Sequence, residues 1–202
     1  MKESLQREWL TDILEATPSI VFLALWRSDV DLQLSGWIGA GLAAALFIAF
    51  RYFRLQFNPI MLGINTHLLI ITPIIMASFY AGARELSAAL VAHSYRGVLV
   101  TVFLAGCGLS FFSERGFVGI GGLSMTSRWR YSGVLLAVSA VAVIWALSFT
   151  GGDFLAVAAP MVAMFGLRRF LIARALDTNQ IVGIATVGVG SVLATGPDAE
   201  TV

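Results

Sequence analysis

The chain has 202 residues, of which 58% are hydrophobic and only 12% charged, with a formal net charge of +1; mean hydropathy is +0.85. A soluble domain carries about twice that charged fraction, roughly 25%, and a chain of this size cannot bury so much apolar surface inside itself. These numbers exclude a water-soluble globule, a disordered chain and a nucleic-acid-binding module, and the single Cys107 excludes an intrachain disulfide framework or a multi-cysteine metal site.

At the start of the chain, Lys2 and Arg7 are offset by Glu3 and Glu8, and Asp12 and Glu15 interrupt any apolar run. That pattern does not read as a secretory signal, which needs an uninterrupted apolar stretch after a positive start. Leu5, Trp9, Leu10, Ile13 and Leu14 recur at helical spacing, so residues 1–15 are expected to form an amphipathic interfacial segment. Thr17 and Pro18 then read as a helix start, the first as N-cap and the second at the first helical position.

A bilayer core of about 30 Å needs about 20 apolar residues in a helix. Against that length, residues 18–26 form a span only if residues 11–17 enter the membrane with them. Residues 34–50, 59–83, 97–112 and 131–149 each qualify. Residues 154–167 are short, but Arg168 and Arg169 can snorkel and bring 170–173 into the span. Residues 181–195 are apolar and glycine-rich, and follow an expected return turn at 177–180; they would form a seventh span, ahead of a polar tail at 196–202. With the first segment counted, ten of the 13 Lys and Arg residues fall on one side and only Arg27, Arg84 and Arg96 on the other. Cytoplasmic loops retain Lys and Arg, so the N-terminus is expected in the cytoplasm. The fold class is therefore an all-α, polytopic transmembrane helical bundle of six to seven spans, forming one domain.

Spans in lipid associate through close backbone packing and interhelical hydrogen bonds. Small residues repeat at Ser35, Gly39 and Ala43, at Gly41, Ala45 and Ala49, at Gly106 and Ser110, and at Ser132, Ser139 and Ala146. The third span adds polar groups. Asn58, Asn65 and Thr72 lie seven apart and form one stripe, while His67 falls on another face with Gly63, Ile71 and Ser78. A helix polar on two faces cannot cheaply turn either to lipid, so this helix is expected to be central and surrounded by its neighbours. Pro73 weakens its backbone ladder one turn beyond Leu69.

The candidate intramembrane polar site is Asn58, Asn65, Thr66, His67 and Thr72. It reads either as a proton-coupled or polar-solute site or as a neutral histidine bonded to a neighbouring helix. Arg51, Arg54, Arg128, Trp129, Arg130, Arg168 and Arg169 read as interfacial anchors for anionic headgroups. Arg27, Asp29 and Asp31 read as a solvated turn, and residues 86–92, bordered by Arg84, Glu85, His93 and Arg96, as an interfacial helix. The cytoplasmic loop at 114–130 holds Gly116, Gly119, Gly121 and Gly122 without the Lys-Ser/Thr of a phosphate-binding loop, and is expected to be flexible. With two histidines in different segments and no base beside Cys107, no catalytic residue, metal or cofactor is expected.

The first quarter of the chain resembles the small polytopic bacterial proteins of the intracellular septation protein A family. The resemblance is carried by Glu15, Pro18, Phe22, Trp26, Arg27 and Asp29, then by residues 36–50 with Arg51, Tyr52 and Arg54. It implies a multi-pass bacterial inner-membrane protein that supports envelope or septation processes through helix–helix contacts. Its partners would be membrane lipids, itself or other membrane proteins, with no nucleic acid and no assigned catalytic residues. The alternative reading is a small transporter or channel for a proton, ion or polar solute built on the third span.

Overall fold

A computed structural model describes the backbone of residues 2–28 and 30–193 and the side chains of residues 11–28 and 30–177. Six helices follow one another: α1 (Lys2–Arg27), α2 (Leu32–Tyr52), α3 (Pro59–Tyr80), α4 (Arg84–Phe112), α5 (Met125–Ser148) and α6 (Asp153–Leu193). Among the described residues there is no strand. Five helices are long and apolar enough to cross a bilayer: α2, α3, α4, α5 and the Asp153–Asp177 part of α6. The fold is thus a helical membrane bundle, as the composition requires.

The helices run up and down, each packed on its sequence neighbours, with α1 also touching α3 and α4 touching α6. Two three-helix groups, α1–α3 and α4–α6, meet along the α3–α4 seam, which is the most extensive interface. Gly63 makes that seam close. A methyl group placed there would stand 2.6 Å from Val102 Cα, so only hydrogen lets the two backbones approach. The apolar core sits beside the seam, from Ile60 on α3 through Leu99 and Val102 on α4 to Leu135, Ala142 and Ala146 on α5 and Met164 and Leu171 on α6. The small faces do similar work elsewhere: Ser35, Gly39 and Ala43 are buried on α2, as are Ser132, Ser139 and Ala146 on α5.

Several sequence-based expectations are corrected. Residues 2–15 are not a separate segment, because α1 runs unbroken through Pro18. Thr17 is therefore no N-cap; its Oγ1 donates to Ile13 O at 2.8 Å within the helix. Residues 86–92 belong to the continuous α4, since nothing in that stretch breaks the backbone ladder. No return turn forms at 177–180: α6 continues to Leu193, and 41 helical residues extend about 60 Å, twice a bilayer core. So 181–193 continues the sixth helix instead of starting a seventh; the tail at 196–202 lies outside the described residues.

The connection between α4 and α5 is shorter than expected, because α5 begins at Met125, where Ser124 caps it by accepting the Ser127 N–H at 3.3 Å. Nor is it a loose loop. Phe117 and Val118 are fully buried, and the Phe117 ring lies where a side chain at Gly106 would be. The Phe117 N–H donates to Ser132 Oγ at 3.0 Å. Gly116 and Gly119 take φ of +62° and +79°, the left-handed conformation that lets the chain dip into the bundle and leave again. The loop is a wedge.

Candidate functional site

The residues singled out on α3 separate into two places. At the end of the bundle that carries the wedge, Asn58 caps α3, its Oδ1 accepting the Ile60 N–H at 3.1 Å ahead of Pro59. The Asn58 N–H donates to both carboxylate oxygens of Glu15 on α1, at 2.9 and 3.1 Å. Asn65, fully buried, donates from Nδ2 to the Glu15 carbonyl at 3.0 Å. Pro18, one turn further on, supplies no N–H to the carbonyl of Leu14. Glu15 is only 1% exposed. A carboxylate so placed needs compensation, and it sits at the N-terminus of α3, where backbone N–H groups and the helix dipole favour negative charge. Arg168 on α6 is the cation that acts on it electrostatically, together with the acidic Asp12. Glu15 thus ties α1 to α3 in a clasp. In the sequence Glu15 stands only as a marker of the resemblance; the available signal is a lone acidic residue at the head of an apolar run.

Arg168 also holds the wedge, donating from Nε to Val118 O at 3.2 Å. Arg128 reaches the other end of the loop, Nη1 to Ser113 O at 3.4 Å. These two half-buried guanidiniums each bond a carbonyl of the dipping loop. Arg51, Arg54 and Arg130 are exposed at the same end of the bundle, and Trp129 packs edge-on against Phe111 at 5.5 Å. Arg169 is exposed beside Asp12, at 3.9 Å.

His67 and Thr72 lie elsewhere on α3, on the wall of a cavity of about 450 Å³. His67, 8% exposed, pairs through Nδ1 with Thr101 Oγ1 on α4 at 2.9 Å. The Thr101 hydroxyl also reaches Gly97 O, at 3.1 Å. The imidazole edge fits over Gly97, where a methyl group would stand 3.1 Å from its Cε1. Thr72 is held against Gly36 of α2, where a methyl group would likewise stand 3.1 Å from its Cγ2 and Oγ1. Thr66 takes no part: its hydroxyl bonds Leu62 O at 2.7 Å within α3.

The cavity lies among α1, α2, α3, α4 and α6, with Ile64, His67 and Val98 at its deep end and Leu32, Met76 and Phe79 at its rim. Along α3, from Ile64 to Phe79, that depth is about 22 Å. The walls are mostly apolar, and their polar groups are Ser19, Gln33, His67, Thr72, Ser87, Ser94 and Tyr95. Two of these, the Ser19 and Tyr95 hydroxyls, are buried with no hydrogen-bond partner. Tyr95 is braced by the Trp26 ring, centroids 5.1 Å apart.

The expectation that α3 is wholly surrounded holds only toward the clasp. Farther along, Ile70, Pro73, Ile74 and Ala77 form one exposed face, because neither α5 nor α6 packs there. The polar residues turn from it: Asn65, His67 and Thr72 are all buried.

No known family model, curated protein or solved structure matches the chain. What the sequence and structure define is a class, the helical membrane bundle with an interhelical cavity, and the functional reading rests on the chain's own residues.

Proposed function

We propose that the protein is a small membrane carrier whose substrate site is the cavity on α3. The observation that carries this reading is the cavity itself. It reaches the buried His67 from one end of the bundle and stops there. Beyond its floor the Glu15 clasp and the Phe117–Val118 wedge close the other end. A site near mid-depth, open toward one side and sealed toward the other, is what one state of an alternating-access carrier requires. The sealing elements are the Glu15–Asn58–Asn65 contacts and the buried Phe117–Val118 wedge, and opening that end requires both to move. The Lys and Arg distribution supports the clasp end in the cytoplasm, so the cavity opens to the opposite side.

Thiol labelling tests the reading. In a Cys107→Ser background, Met76→Cys at the rim labels rapidly with a small methanethiosulfonate reagent. Ile60→Cys, fully buried beside the wedge, labels slowly but completely from the clasp side if the seal opens during a cycle. A chain that leaves Ile60→Cys unmodified over hours, in bilayers, is no carrier.

A second reading, a helix–helix scaffold in envelope or septation processes, is supported by one feature. Gly41 and Ala45 are exposed on the outer face of α2, between Trp37 and Ile48, and nothing lies within 4 Å of a methyl group at Gly41. On that reading another membrane protein or a second copy covers this face, and Gly41→Ile reduces association in bilayers.

A further inference from the structure

Among the described residues, Glu15 is the only acidic side chain buried in the bundle. Its two carboxylate oxygens share one donor there, the Asn58 N–H, at 2.9 and 3.1 Å. Ionised, they could accept about four hydrogen bonds, and among the described residues no cation forms an ion pair with them. The surrounding charges leave the group under-compensated. On α1, Asp12 lies about one turn away and opposes a second negative charge. On α6, Arg168 attracts it only from a distance, because its Nε is bonded to Val118 O of the wedge. Arg169 pairs instead with Asp12, at 3.9 Å. At the end of α2, Arg51 and Arg54 are exposed, and the α3 groups that meet Glu15 are the uncharged Asn58 and Asn65.

The first N–H groups of α3 favour negative charge, but the desolvation of a carboxylate without an ion pair outweighs a helix end. The neutral acid keeps the Asn58 bond through its carbonyl oxygen and removes the buried charge. The same group is tied to the seal. Gly119 of the wedge lies over Pro59 and Arg168: a methyl group there would stand 3.0 Å from Pro59 Cγ and 3.1 Å from Arg168 Nη2. The clasp, the wedge and Arg168 are thus contiguous, and withdrawing the wedge breaks the Arg168–Val118 bond.

Resting on the carrier reading, we propose that transport is coupled to protons at Glu15, whose carboxyl holds a proton while the clasp end is sealed and releases it when that end opens. A carboxyl that is dry in one state and wet in the other binds a proton more tightly in the dry one. Opening therefore breaks the Oε–H bond and passes the proton to water, and closing forms that bond again, so rising pH favours opening.

Two measurements in bilayers test the coupling. Infrared difference spectra between the parent chain and Glu15→Gln, at about pH 6, should show a carboxylic-acid C=O band that the variant lacks. Glu15→Asp, which shifts the band, serves if Glu15→Gln fails to fold. No such band overturns the proton site, whatever the chain transports. The second measurement is the rate at which Ile60→Cys is modified from the clasp side, in the Cys107→Ser background, from about pH 5.5 to about pH 8. Dividing by the rate at an exposed reference, Tyr52→Cys, removes the pH dependence of the thiol. This ratio should rise about tenfold with pH in the parent chain and stay flat in Glu15→Gln, whose side chain is neutral throughout. A ratio flat in both chains, with Ile60→Cys modified, overturns the coupling and leaves the carrier reading standing. Ile60→Cys unmodified at every pH in both chains sinks the carrier reading, and the coupling with it.

Discussion

Replacing Gly63 with alanine inserts one methyl group into the tightest contact between the two halves of the bundle. The new carbon would stand 2.6 Å from Val102 Cα and 2.9 Å from Val102 Cγ2, where ordinary contact begins at 3.4 Å. The nearer atom is backbone, so no rotamer change relieves it, and α4 must move away from α3 by about 1 Å. Overpacking of this kind costs about 1–3 kcal/mol, against which alanine recovers up to about 1 kcal/mol of helix propensity. The net loss is about 1–2 kcal/mol, or roughly 2–8 °C in midpoint for a chain of this size. Gly41→Ala is the matched control: it lies on a helix face with nothing within 4 Å, so only the propensity gain of roughly 0.5–1 kcal/mol remains. Thermal unfolding of both variants, followed by tryptophan fluorescence in one detergent, should place Gly63→Ala below the parent and Gly41→Ala at or above it. A midpoint for Gly63→Ala equal to that of Gly41→Ala would refute the close α3–α4 approach.

Other perturbations probe the clasp, the wedge and the histidine. Glu15→Ala leaves the half-buried Asn58 N–H without its side-chain acceptor and should cost about 1–3 kcal/mol in thermal unfolding; Glu15→Gln, which keeps an oxygen there, should cost less. Phe117→Ala empties a fully buried site and should cost about 3–5 kcal/mol, with limited proteolysis now cutting within residues 113–124. Thr101→Val removes the partner of His67 Nδ1 at nearly constant volume and should lower the midpoint, by about 1–3 kcal/mol, while His67→Gln, if its amide reaches Thr101, should lower it less. Asp153→Asn weakens the Arg96 pair at 2.9 Å, but both groups are partly exposed, so a change within about 1 kcal/mol is expected.

Much of the architecture was legible because lipid enforces it: hydropathy and length locate α2 and α3 within three residues of their observed bounds and the ends of α4 and α5 within one, while α4 starts 13 residues and α5 six residues before the apolar runs that mark them. The boundaries that went astray depended on tertiary support. Thr17-Pro18 carries a helix-start signature, yet α1 passes through it, and Asn65 takes up the Glu15 carbonyl in that turn. The four glycines of the α4–α5 connection suggested freedom, but Phe117 and Val118 among them supply a reason to fold inward. The polar stripe on α3 was visible as spacing, and Asn58 and Asn65 do share a partner. That partner, Glu15, lies 43 residues away from Asn58 in sequence, beyond the reach of any periodicity. His67 and Thr72 were found by residue type, whereas the cavity they line is a void among five helices and has no local sequence signature.

The central claim is that the face of α3 bearing His67 and Thr72 turns inward to the cavity while Ile70, Ile74 and Ala77 meet lipid. Single spin labels placed in turn at positions 65 to 78 of the Cys107→Ser chain, in bilayers, test it through relaxation enhancement by oxygen, which concentrates in hydrocarbon. Oxygen maxima at 70, 74 and 77, with minima at 65, 67, 68 and 72, are the predicted profile. A maximum at position 67 would put the imidazole against acyl chains and contradict the account.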